Sequence, residues 1–256
     1  MSKDLSHILR DWDYDPEEIG VRIVPGDDGR EKIQMRVELG ALQMEIDGRP
    51  DGARPENCES WLDYYEEQRR IHESTHPEGP PFRLGETECM RLWREGVQYY
   101  HRYLSLWHLD EFERCARDTA RNLRLFAFVR AHAEQDRHKL HFDQWRPYVT
   151  MMHTRASAMP LLKNSEPERA LAVIEAGIDA IHEFLDEYGQ GHRAHECAEL
   201  TNLERWRDEI LRNGQADTPQ AKIRVLRQQL DEAVAAEEFE QAARLRDEIR
   251  RLSEQP

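Results

Sequence analysis

Val21-Arg-Ile-Val-Pro-Gly-Asp-Asp-Gly-Arg30-Glu-Lys-Ile-Gln-Met-Arg-Val-Glu-Leu-Gly40-Ala-Leu-Gln-Met-Glu-Ile46 is the stretch that separates this chain from an all-helical protein. Val21 and Ile23, then Ile33, Met35 and Val37, then Leu42, Met44 and Ile46 alternate with polar residues. Period two over three short runs predicts strands with one buried face. Pro25-Gly-Asp-Asp-Gly29 and Leu39-Gly40-Ala41 supply turn chemistry, and Gly48-Arg-Pro-Asp-Gly52 closes the third run. The expected product is an antiparallel three-stranded meander. A sheet that small needs a cover. Trp61, Tyr64, Tyr65, Gln68 and Ile71 recur at helical spacing behind Ser60, so this helix is the expected lid.

Downstream, from Glu86 to Asn213, the pattern is helical almost throughout. Helices are expected over 87–106, 109–133, 142–163, 166–189 and 196–213. Ser165-Glu-Pro-Glu168 reads as a capping box with proline in the first turn. Pro147 and Pro160 should start and kink the third helix, and Gly214 stands where a C-terminal glycine belongs. Trp93-Arg-Glu-Gly96 with Tyr99, and Glu168-Arg-Ala-Leu-Ala-Val-Ile-Glu-Ala-Gly177, are similar to tetratricopeptide helices. The period of that repeat does not hold, so a repeat-like array and a packed orthogonal bundle both fit. The breaks His76-Pro-Glu-Gly-Pro-Pro81 and Asn213-Gly-Gln-Ala-Asp-Thr-Pro219 divide the chain. The expected class is α+β, mostly α. A small antiparallel N-terminal β-meander plus helix occupies 1–85, a helical, repeat-like middle 86–213, and a C-terminal antiparallel helical hairpin 218–256.

Composition bounds the function. The 256 residues carry 36 Lys and Arg against 51 Asp and Glu, a formal net charge of −15. The first 86 residues hold 11 basic against 21 acidic groups, so the acidity is concentrated there. Phosphate binding needs clustered Lys and Arg, so direct nucleic-acid binding is not expected. Mean hydropathy is −0.88 and no run of eighteen apolar residues occurs, so no membrane span is expected. The start, MSKDLSHILRDWDYD, has no apolar run behind Lys3 and gives no secretory signal. Cys58, Cys89, Cys115 and Cys197 lie far apart with no CxxC, which fits a reduced, cytoplasmic protein.

The C-terminal stretch is the most specific. Thr218-Pro219 sets an N-cap followed by proline at the first helical position. Ile223, Leu226, Leu230 and Ala233 then recur at spacings of three and four. After Ala236-Glu-Glu-Phe-Glu240, so do Phe239, Ala242, Leu245, Ile249 and Leu252. Each helix carries one narrow apolar seam, as in a coiled coil. Glu240–Arg244 and Asp247–Arg251 are i,i+4 pairs in the favourable order. This run, with Ala233-Val234, Glu237-Glu-Phe-Glu240, Ala242-Ala243 and Leu245-Arg-Asp247 at their places, resembles the UVR motif of the excision-repair proteins UvrB and UvrC, found also in stress-protease adaptors and unfoldases. The remainder is similar in arrangement to bacterial UVR-motif proteins.

The resemblance implies an antiparallel helical hairpin for protein–protein contact, with no catalytic residue of its own. Leu230, Val234, Phe239, Glu240, Ala243, Leu245, Arg246 and Ile249 are its expected partner-binding residues. The expected partner is a protein, another UVR-motif chain or a second copy included.

Other constellations are weaker. His138-x2-His141, His192-x2-His195-Glu196-Cys197 and His72-x3-His76 have ligand-compatible spacings. None is HExxH or a paired-Cys zinc site, so no metal or cofactor is expected. No GxSxG, Walker loop or GxGxxG occurs, and no catalytic residue is assigned. Tyr99, Tyr100, Tyr103 and Trp107 could stack bases, but at helical spacing they read as a core stripe. Arg114, Arg117, Arg121 and Arg124 fall on one helix face opposite Phe112, Ala116, Thr119, Leu123 and Phe126. That row reads as a solvated face rather than an anion dock. A non-catalytic adaptor is the expected function. Two alternatives stand beside it: an accessory factor of nucleotide excision repair acting through UvrB- or UvrC-type partners, and an enzyme with a site in the sheet–helix cleft.

Overall fold

The computed structural model describes residues 4–216 together with positions 226, 230 and 244–246. The chain divides into two units, Met1–Leu200 and Thr201–Pro256, and the fold described here is that of the first. It is mostly helical with a three-stranded antiparallel N-terminal sheet, as the alternation predicts.

A four-residue helix α1 (Ser6–Leu9) precedes strands β1 (Val21–Pro25), β2 (Glu31–Val37) and β3 (Gly40–Glu45) in the order β1-β2-β3. The register stacks Ile23, Ile33 and Met44 in one row, and Val21, Met35 and Leu42 in the next. These rows are the buried face. Arg22, Gln34 and Gln43 form a row on the other face, where Arg22 Nε donates to Gln34 Oε1 at 2.8 Å and Gln34 Nε2 to Gln43 Oε1 at 2.9 Å. Lys32 lies between Asp28 and Glu45 there, at 2.8 and 2.5 Å. The second turn is Glu38-Leu39, because Val37 pairs with Gly40, which places it one residue earlier than the Leu39-Gly40-Ala41 reading.

Six helices follow within this unit: α2 (Trp61–Thr75), α3 (Glu86–His108), α4 (Phe112–His132), α5 (Asp136–Asp143), α6 (Arg146–Lys163) and α7 (Pro167–Glu187). Helix α8 (Ala198–Ala216) continues into the second unit. The expected third helix begins at Arg146, not 142, with Pro147 in its first turn, because a separate short helix, α5, ends at Asp143. Pro160 lies inside the last turn of α6.

The sheet is covered by other helices than the one expected. Ile33, Met35, Met44 and Ile46 pack with Tyr103 and Leu106 of α3, Cys115 of α4, and Met152 and Ala156 of α6. Helix α2 instead sends Leu62 and Tyr65 into a second core with Leu84, Leu92, Leu125, Val129 and Phe142. The physical reason is that α3 and α6 offer a wider apolar face than α2, whose buried residues number two. The buried face of the sheet is therefore packed against apolar side chains.

Ser165 does not cap α7. It takes φ +60° and closes α6, its N–H donating to Leu162 O at 3.0 Å while Glu166 N–H donates to Leu161 O at 2.8 Å. That pair of bonds is a helix C-terminal closure. The N-cap of α7 is Glu166, without a side-chain cap bond. A serine spent on ending one helix cannot start the next.

Helices α6 and α7 approach closely because position 177 has no side chain. A Cβ on Gly177 would lie 2.1 Å from Thr154 Oγ1 and 2.9 Å from Thr154 Cβ. Gly177→Ala should therefore lower stability by about 1–3 kcal/mol through overpacking, outweighing the gain of up to about 1 kcal/mol in helix propensity. Denaturant unfolding checks the sign. A variant at least as stable as the parent contradicts this packing.

Candidate functional site

Of the residues expected to bind a partner, Leu230, Leu245 and Arg246 are described. All three have helical backbone, with Leu230 and Leu245 half-buried and Arg246 exposed. Val234, Phe239, Glu240, Ala243 and Ile249 lie outside the described residues, and so does the hairpin geometry expected of 218–256.

Inside the first unit, charged residues of α3 and α4 form a buried knot. Glu95 of α3 has no exposed surface. Its carboxylate accepts from the backbone N–H groups of Trp61 at 2.8 Å and Leu62 at 3.2 Å, so it closes the N-terminus of α2. Such an end offers unsatisfied N–H groups and partial positive charge, which a carboxylate meets. Ser60 completes the cap by accepting from Asp63 N–H at 3.1 Å. Arg121 pairs with Glu95 Oε1, and Arg49 Nε lies 3.0 Å from Oε2 as an ion pair without an aligned hydrogen bond.

Two turns along α3, buried Arg102 grips Asp118 with two bonds of 2.6 and 2.9 Å. Its other nitrogen donates to Glu45 O at 3.1 Å and Gly48 O at 2.7 Å. Arg117 adds Asp47 at 2.5 Å and Ile46 O at 3.0 Å. The loop leaving the sheet is thus pinned to α3 and α4 by guanidinium groups. Tyr99 lies between two of them, with Arg121 4.0 Å and Arg102 4.8 Å from its ring centre.

The arginine row of α4 is therefore no uniformly solvated face. Arg121 is nearly buried on Glu95, Arg117 holds Asp47 and Asp118, Arg114 pairs with Glu111, and Arg124 pairs with Asp63 and Glu66. Each guanidinium already has a carboxylate. The signal that could have found this is the charged residue at a core position of an apolar period: Glu95 and Arg102 share the face of Leu92, Tyr99 and Leu106.

A cavity of about 380 Å³ opens between α3, α4 and α6. Trp93 and Tyr100 wall it from α3, Tyr148 from α6, and Phe126 and Asn122 from α4. Tyr99 and Tyr103 are buried, as a core stripe requires, but Tyr100 faces this opening and is 36% exposed. Burial pushes the Tyr148 hydroxyl up to about 12 and holds the His101 imidazole below its ordinary value, so both are neutral near pH 7. Burial likewise raises the thiols of Cys89 to about 11 and Cys115 to about 12, which makes them weak nucleophiles.

Histidines of two of the three pairs pack locally. His72 stacks on His76 at 5.1 Å and its Nε2 lies 2.8 Å from Pro80 O. His141 packs on Trp93 at 4.1 Å. Among the described residues no group of three His, Cys, Asp or Glu side chains is placed to hold a metal ion, and no helix is long and apolar enough to cross a membrane.

Comparison with known proteins locates the recognisable element. Residues 220–255 match the family model of the UvrB/uvrC motif, UVR. The chain carries that motif at its C-terminal end. No curated protein and no solved structure matches the chain.

Proposed function

We propose that this protein is a non-catalytic adaptor that holds a protein partner through its C-terminal UVR segment, while residues 1–217 form a separately folded body. The observation that carries this reading is the motif match at 220–255. A two-helix hairpin with one narrow seam buries little apolar surface by itself, so docking on a second helical pair is its natural completion. The surroundings of the titratable groups support a non-catalytic reading. The buried carboxylates Glu95, Asp118 and Asp143 are paired with arginines, and desolvation raises the buried thiols above their ordinary values. The proposed partner residues are Leu230, Val234, Phe239, Glu240, Ala243, Leu245, Arg246 and Ile249, and the proposed setting is the cytoplasm.

The description of the matched motif favours one second reading, an accessory role in nucleotide excision repair through UvrB- or UvrC-type partners. Affinity capture with the full chain and with a 1–217 fragment, both read by mass spectrometry, tests the proposal. The full chain should retain specific proteins that the fragment loses. Repair proteins among them select the second reading. Identical retention by both baits contradicts the adaptor assignment.

A further inference from the structure

The cavity between α3, α4 and α6 is built like a site rather than left over by packing, and glycine is the reason to say so. Gly96 sits mid-way along α3 and borders the cavity. Glycine is the least favourable residue for a helix interior after proline, so its presence there asks for a cause. Close helix packing is the usual one, and it operates at Gly177. It does not operate at Gly96, where an added Cβ would meet nothing nearer than Asn122 Oδ1 and Leu125 Cδ1, both at 4.0 Å. What a side chain at position 96 would take up is cavity.

The walls define what the cavity accepts. Rings supply most of the lining, with Tyr100 set edge-on to Tyr103 at 5.6 Å and tilted to Tyr148 at 6.4 Å. Trp145 stands at the rim and is 47% exposed, beside the 36% exposed Tyr100. No Asp, Glu, Lys or Arg lines the space. A charged ligand would lose hydration there without a counter-charge, which disfavours it. His101 borders the cavity, and its buried Nδ1 has no hydrogen-bond partner among the described residues. Asn122, buried alongside, uses its Nδ2 on Gly96 O at 3.0 Å. About 380 Å³ lies at the lower end of ligand pockets, which run roughly 300–1,000 Å³.

We infer that this cavity is a binding site for a small, uncharged, planar aromatic molecule of one or two rings bearing a single hydrogen-bonding group. The rings stack edge and face against Tyr100, Tyr148 and Trp93, an arrangement aromatic pairs prefer. Every residue lining the site belongs to the first unit, and the site adds a small-molecule ligand to a protein read as a protein binder.

Calorimetric titration of the full chain with indole tests it, with indole-3-acetate and tetramethylammonium as charged comparators. Indole should bind saturably with a dissociation constant below about 1 mM, within reach of a ligand of its size. The acetate should bind at least about tenfold more weakly, because nothing in the lining neutralises it. Gly96→Leu, which fills the space, should weaken indole at least about tenfold while melting no lower than the parent. Trp145→Ala, at the exposed rim, should weaken it with the fold intact. Absence of saturable heat, unchanged binding by Gly96→Leu, or tetramethylammonium binding tighter than indole would each overturn the inference, the last in favour of a cation cage.

Discussion

Glu95→Ala should be the most damaging single substitution in the folded body. It leaves the nearly buried guanidinium of Arg121 without its carboxylate and Arg49 with Asp51 alone, and strips the N–H groups of Trp61 and Leu62 of their acceptor. Breaking a buried ion pair from one side costs about 3–5 kcal/mol, because the remaining charge stays desolvated. In a body of this size each kcal/mol moves the melting temperature by about 2–4 °C, so a fall of roughly 6–20 °C is expected. Glu95→Gln keeps the shape and one acceptor oxygen, and should fall between the two. The damage should spread to α2, whose first turn loses its cap, and to the loop holding Arg49. Thermal unfolding followed by circular dichroism checks the result. An alanine variant melting within about 2 °C of the parent contradicts the knot as described.

The second large effect concerns the C-terminal segment. Phe239 is the aromatic residue of the Ala236-Glu-Glu-Phe-Glu240 turn expected to join the two helices. Phe239→Asp places a charge on the apolar seam, which a buried site tolerates badly. Partner capture should fall at least about tenfold, in keeping with the loss of a central aromatic anchor. The melting transition of the 1–217 body should be unchanged, because in the proposed arrangement the UVR module folds apart from it. Capture and melting measured on the same preparation check both halves. Loss of the body's cooperative transition would show that the hairpin is part of its core.

These two sites were legible to very different degrees. The sheet is written in alternation of period two, and its three strands and their order follow from it. Which helix would cover the sheet was not written. Trp61, Tyr64 and Tyr65 make α2 amphipathic, but an apolar face states only that it needs a partner, and Leu62 and Tyr65 found theirs on α3 and α4. Ser165 shows the same ambiguity at one residue, since a serine before Glu-Pro-Glu serves a helix start or a preceding helix end equally well. Short α5 was missed because its eight residues carry a mostly polar pattern that merges with the helix behind it.

The buried knot was hidden for a different reason. Charges on a helix read as solvent-facing, and Glu95, Arg102, Asp118 and Arg121 show their roles only when α3 and α4 lie side by side. The aromatic cavity draws on positions between Trp93 and Val149, which no local window joins. By contrast, the UVR segment is contiguous, and its pattern could be recognised in full from residues 218–256.

Hydrogen–deuterium exchange on the full chain, with and without its captured partner, tests the central claim most directly. The account predicts slowed exchange confined to peptides within 218–256, with β1–β3 and α3–α7 unchanged. Protection concentrated in the sheet or in α3–α7, with 218–256 unaffected, would contradict it and move the binding surface to the folded body.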